Sequence, residues 1–210
     1  MIVFALHQCD TTNIGDRSCC PLDYFSFFSE SIGAAIRRDV RKFDQNPADV
    51  DAIILGGGAL GGVAQNIAKA YPNSIKIAWG IGATSPVQAP VSSELHYQNS
   101  EAFDLYGCRD YGASDIFVPC VSCMSPLFDQ SFEIAHKTVV FGHSSKCPLD
   151  IQAESLGIPY ADNETCKSMH QAMEFLGSGE HVITSSYHGA YWATLLGRKV
   201  SMIPCKRLTI

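Results

Sequence analysis

The sequence has no apolar run near the roughly 20 residues that a helix needs to cross a bilayer, and its opening, MIVFALHQCD, lacks the basic start and small-residue cleavage site of a secretory signal. Both absences predict a cytoplasmic protein. A basic run is missing too: 15 Lys and Arg stand against 21 Asp and Glu, for a net charge of -6. Nothing here would track a phosphate backbone, so a nucleic-acid partner is not expected. There is no low-complexity segment and no short repeat. The absence of G-K-[ST], G-x-S-x-G, H-E-x-x-H and a paired-carboxylate pattern removes several common hydrolase and nucleotide sites.

Cysteine, by contrast, is abundant. The count is nine, but an odd number in a chain long and apolar enough to build a core predicts reduced, buried thiols rather than a disulfide framework. Cys120 and Cys123 form a lone C-x-x-C without the second pair a structural zinc site would want, and Cys19 and Cys20 add no spacing that holds a metal. No metal site is expected.

With 210 residues, 46% of them hydrophobic, the chain has material for one large or two small α/β domains. IVFAL (2–6), VDAIIL (50–55) and SIKIAW (74–79) read as strands, and further short strands are expected near 103–107 and 116–118. Leu22, Phe25, Phe28, Ile32 and Ile36 recur at helical spacing, and VAQNIAKAY (63–71) has helical character. The alternation predicts a parallel sheet covered on both faces. Residues 119–137 read as a connection, after which the pattern restarts. Strands are expected at TVVFG, IPYAD, HVIT and KVSMIP, and helices at 148–157, 166–177 and 189–197 closed by Gly157, Gly177 and Gly197. The expected organisation is an α/β fold of two Rossmann-like lobes with parallel sheets, at 1–125 and 126–210, the second small or truncated.

Polar clusters fall after the expected carboxyl ends of the strands: His7 with Asp10, Asn13 and Asp16; the glycines 56–58; Arg109 with Asp110; His143 to Lys146; and Ser185, Ser186 and His188. In open α/β sheets ligands bind along that edge. His188 is expected just before the first turn of a helix, where free N–H groups favour an anion and keep an imidazole neutral, which suits acid/base work near pH 7. Packing or capping at a helix start is the structural alternative. GGGALG (56–61) matches G-x-G-x-x-G in form, but no acidic residue closes the next strand to hold a ribose, so a nicotinamide cofactor is not expected.

Taken in order, NIGD, DAIILGGGAL, WGIGA, CRDYGAS and VITSSYHGAYWATLLGRKV resemble the polysaccharide pyruvyl transferase family over residues 1–203. The resemblance implies two lobes facing each other as in the GT-B glycosyltransferases, and transfer of pyruvate from phosphoenolpyruvate to two sugar hydroxyls as a cyclic ketal, with no cofactor or metal. It implies His188 and Arg109 as the catalytic pair, His188 moving protons and Arg109 offsetting charge on the departing phosphate. Asn13, Gly15 and Asp16 would bind the acceptor side, Gly57 and Gly58 would shape the floor, and Ser185, Ser186 and Gly189 would line the donor side. Asp16 reads equally well as a helix cap.

The family often has a basic residue where this chain has Ser186, and Lys146 is the expected substitute. Its members usually continue with further helices, so a second copy of the chain is a possible complement. The expected partner is a saccharide, nucleotide-linked sugar or lipid-linked sugar acceptor. The alternatives are a GT-B-type glycosyltransferase using a nucleotide sugar, against which no acidic residue is placed for a ribose, and a non-catalytic saccharide-binding relative.

Overall fold

A computed structural model describes residues 2–25, 35–43, 49–82, 101–112 and 114–204. The chain divides into two compact units, one from residues up to Thr11 with Asp16–Ser122, the other from Thr12–Gly15 with the described residues from Cys123 on. Each carries its own parallel sheet, of six strands in the first and four in the second.

In the first unit the strands are β1 (Val3–His7), β2 (Ala35–Asp39), β3 (Ala52–Gly56), β4 (Ile75–Ile81), β5 (Leu105–Cys108) and β6 (Ile116–Phe117), in the order β2-β1-β3-β4-β5-β6. All five pairings are parallel. Every residue of β1 and β3 is buried, because both faces of the sheet are covered. Phe4, Leu6, Ile53 and Leu55 pack with Leu60, Ile67 and Tyr71 on one face, and Val3, Ala52 and Ile54 pack with Leu22 and Phe25 on the other. Fully burying each of these large side chains contributes about 2 kcal/mol. The helix α2 (Gly61–Ala70) supplies Ala64 and Ile67 to the first face.

The structure corrects one expected element. A 3-10 turn occupies Pro21–Asp23, and Ile36 belongs to the strand β2 rather than to a helix begun at Leu22; residues 26–34, with Phe28 and Ile32, lie outside the described residues. Among the described residues β2 is an edge strand paired only with β1, so it has no need of a continuous apolar run. Its Arg37 pairs with Asp23, and the Arg38 guanidinium lies 4.2 Å from the centre of the Phe4 ring. Those charges hide a strand from a reading that looks for apolar periodicity.

The second unit holds β7 (His136–Gly142), β8 (Tyr160–Asp162), β9 (Gly179–Thr184) and β10 (Lys199–Met202), in the parallel order β10-β9-β7-β8. The helices are α3 (Asp150–Ser155), α4 (Met169–Gly177) and α5 (Tyr187–Leu195). Val139, Phe141 and Val182 from the strands meet Met173 and Leu176 of α4 and Trp192 of α5 in one core. At the start of α4, Ser168 Oγ accepts from Gln171 N, a free helix donor, and the Gln171 side chain accepts from Lys167 N just ahead of the cap. Gly177 is the last residue of α4 rather than its terminator; a side chain there would run into the Phe132 ring, at 2.4 Å from its Cβ, and Ser178 forms the cap.

A short helix, α1 (Ile14–Arg17), follows β1 and divides between the two units. No described helix is long and apolar enough to cross a membrane. The described cysteines are free thiols, and Cys19, Cys20, Cys108, Cys120 and Cys166 are buried.

Candidate functional site

In the second unit the polar residues gather after the carboxyl ends of β7, β8 and β9. Thr184, Ser185 and Ser186 are all buried there, and hydrogen bonds explain how they tolerate it. Thr184 Oγ1 donates to the Phe141 carbonyl at 2.6 Å and accepts from Ser186 N at 3.0 Å. Ser185 Oγ donates to the Cys147 carbonyl at 2.6 Å and accepts from His143 N at 3.0 Å, which ties the turn after β7 to the turn after β9. Ser186 is the N-cap of α5, accepting from Gly189 N at 3.4 Å.

His188 therefore sits within the first turn of α5, not ahead of it. It is buried, with its ring centre 5.0 Å from that of Trp192 and 5.1 Å from that of Tyr187. Gly15 fixes its other side: a Cβ on Gly15 would fall 2.3 Å from His188 Nδ1, so only glycine lets the backbone lie against the imidazole. Asn13 Oδ1 accepts from Gly15 N at 3.0 Å and holds that approach. Gly189 has a packing duty of its own, since a Cβ there would meet Thr184 Oγ1 at 2.4 Å and Phe141 Cδ1 at 2.8 Å. Lys146 is exposed in the turn closed by the His143–Cys147 bridge, and it makes no ion pair among the described residues.

The first unit assembles a different edge. Arg109 follows β5 and is buried at 8% exposure, with its backbone N donating to the Ile81 carbonyl at 3.0 Å. Its guanidinium lies across Gly82, where a Cβ would sit 2.8 Å from Nε. Gly57 lies against Cys19 so closely that a Cβ would fall 2.1 Å from the cysteine Cβ. Gly58, with φ of +82°, brings backbone near the Asp16 carboxylate and the Gln8 amide, at 3.7 Å and 3.9 Å from where a Cβ would stand. Beneath this edge Cys19 Sγ is 3.5 Å from Cys120 Sγ. The hydrogen bond between them, then burial, pushes the Cys19 thiol well above its ordinary pKa, against the smaller pull of the Arg109 charge.

His7 ends β1 with 2% of its surface exposed, and Nδ1 has no hydrogen-bond partner among the described residues. Burial lowers its pKa, so the ring is neutral near pH 7. Cys9, Asp10 and Asp39 come close enough to suggest a cation site, but the protein already supplies the cations. Arg41 donates from Nε to Asp39 Oδ1 at 2.7 Å and from Nη2 to Oδ2 at 2.9 Å, and Lys42 pairs with Asp10.

No protein-family model matches the chain, and no curated protein matches it. The chain is similar in structure to an uncharacterized protein from Klebsiella pneumoniae subsp. pneumoniae. The TM-score is 0.55 at 17% identity, and the match covers 97% of this chain and 82% of that one. The likeness shows the α/β parallel-sheet fold and carries no activity with it.

Of the residues singled out in sequence, Asn13, Gly15, Lys146, Ser185, Ser186, His188 and Gly189 belong to the second unit, and Asp16, Gly57, Gly58 and Arg109 to the first. The second set contains a tight group around His188, with Lys146 at the surface of a neighbouring turn. Asn163 was not singled out, although it is 1% exposed and central: its carbonyl accepts from Ile14 N at 2.8 Å and its Oδ1 from Ser144 N at 2.9 Å. In sequence it is one polar residue in ADNETCK, with no spacing to mark it.

Proposed function

We propose that the chain is a polysaccharide pyruvyl transferase-like enzyme, moving pyruvate from phosphoenolpyruvate to a pair of saccharide hydroxyls. The observation that carries this reading is His188, a buried imidazole in the first turn of α5, pressed on by Gly15 and Trp192 and directly after the capped carboxyl edge of β9. The order of motifs along the chain and the two parallel sheets agree with it.

In this reading one sugar hydroxyl adds to C2 of the enol while a proton reaches C3, turning the methylene into a methyl. Phosphate then leaves with its bridging oxygen as the second hydroxyl closes the ketal, and the second hydroxyl proton leaves with it as hydrogen phosphate. His188 handles the protons, and Arg109 offsets the charge of the donor and the departing phosphate. Ser186 takes the place of a cation because it caps α5, which leaves the cationic part to Arg109 and Lys146.

The test is phosphate release from phosphoenolpyruvate in the presence of a panel of saccharides and sugar nucleotides. The parent should turn over, and His188→Ala should lose about 10²- to 10⁴-fold with its unliganded melting temperature kept within a few degrees. Turnover that survives in His188→Ala sinks the assignment. A parent that binds saccharide without turnover indicates a non-catalytic relative.

A further inference from the structure

We infer that the second unit holds an oxyanion site built by Asn163 and Ser144, taking a phosphate or a phosphate-bearing small molecule. Asn163 is almost wholly buried, and its amide is oriented by its Oδ1, which accepts from Ser144 N at 2.9 Å. That bond leaves Asn163 Nδ2 as a pair of N–H donors with no partner among the described residues, and the hydroxyl of the same Ser144 is buried and unpartnered as well. Two unspent polar groups on neighbouring side chains are costly unless something satisfies them.

What satisfies them is set by chemistry and by place. Nδ2 only donates and Oγ can donate, so the complement is an acceptor. Both atoms are buried, and Ser144 lies in the turn closed by the His143–Cys147 bridge. Lys146 stands exposed in the same turn. The Asp162 carboxylate beside Asn163 is already engaged: Oδ1 accepts from Glu164 N at 2.8 Å and Thr165 N at 2.7 Å, and Oδ2 from Tyr160 Oη at 3.1 Å. Both of its oxygens are thereby occupied by other donors.

The pair is also linked to His188. Asn163 holds Ile14 through its carbonyl, and the next residue, Gly15, is the one against the imidazole. Resting on the proposed function, this site receives the phosphate of the donor; as an oxyanion site it stands without that reading.

The experiment is calorimetric titration of the full chain with inorganic phosphate, and separately with phosphoenolpyruvate. Asn163→Asp keeps the acceptor for Ser144 N and replaces the free donor with an oxygen, so phosphate should bind at least about tenfold more weakly. Ser144→Ala removes only the hydroxyl and should weaken binding about threefold or more; it decides alone if Asn163→Asp fails to fold. The inference is overturned if the parent gives no heat with millimolar phosphate, or if both variants bind as the parent does, in which case the two groups hold a buried water. Phosphate binding that depends on both residues, with no turnover of phosphoenolpyruvate, keeps this site and removes the pyruvyl reading. Turnover that is indifferent to both residues does the reverse.

Discussion

Both units use glycine for close approaches, but the loop edge of the second adds a set of buried side-chain hydrogen bonds. In the first unit side chains are absent where the chain must pass: Gly57 admits Cys19 and Gly82 admits the Arg109 guanidinium. In the second, small hydroxyl and amide side chains stitch the edge together, as Thr184 bonds to backbone of β7, Ser185 and Asn163 to backbone of another turn, and Ser186 to its own helix. A glycine-built edge fails by collision, and a hydrogen-bonded edge fails by stranding buried polar groups. The two failures differ in size and in what repairs them.

The largest effect is expected where collision is worst. Gly57→Ala places a Cβ 2.1 Å from Cys19 Cβ and should cost about 3 kcal/mol; adding Cys19→Gly should recover part of it in a double-mutant cycle followed by denaturant midpoint. Strict additivity would mean the two positions do not collide. Next comes Thr184→Val, nearly the same shape, which removes the buried hydroxyl's bonds to the Phe141 carbonyl and from Ser186 N and should cost about 2 kcal/mol. A loss below half a kcal/mol would show that these bonds do not hold the second edge.

Ser186→Ala removes only the cap on Gly189 N and should cost about 1 kcal/mol. The same variant should leave phosphoenolpyruvate binding close to that of the parent, because its hydroxyl is engaged with the helix. The smallest effect is electrostatic and falls in the first unit. The pKa of His7 is depressed by burial, so between its folded value and about 6.5 the unfolded chain binds a proton that the folded chain does not. Its stabilising share is complete above about pH 6.5 and is lost as pH falls through the folded value. His7→Gln should flatten the decline in melting temperature between about pH 7 and pH 5; an unchanged decline would assign it to other groups.

The same contrast explains what the sequence made legible. Buried strands such as IVFAL and DAIIL announce themselves because both faces are apolar, and His188 stands out as an imidazole between a strand and a helix. Ala35–Asp39 did not, because an edge strand with one partner tolerates arginines and a carboxylate. The apolar pattern puts the start of α5 at Gly189, two residues late, since Ser186 caps the helix ahead of Tyr187 and the pattern begins only after His188. Gly57 and Gly189 are expected among the substrate-binding residues, and their neighbours also give each a packing reason for lacking a side chain. Asn163 could be found only in three dimensions, because its meaning lies in one satisfied oxygen and one unsatisfied nitrogen.

The most direct test of the proposed function is the melting temperature of the parent, His188→Ala and Arg109→Ala across a titration with phosphoenolpyruvate. At about 100 times its dissociation constant the ligand should add about 2.7 kcal/mol to the parent, and that gain should be lost or sharply reduced in both variants while their unliganded melting temperatures stay near the parent's. No stabilisation of the parent, or an equal gain in all three proteins, would contradict the assignment of a phosphoenolpyruvate donor to Arg109 and His188.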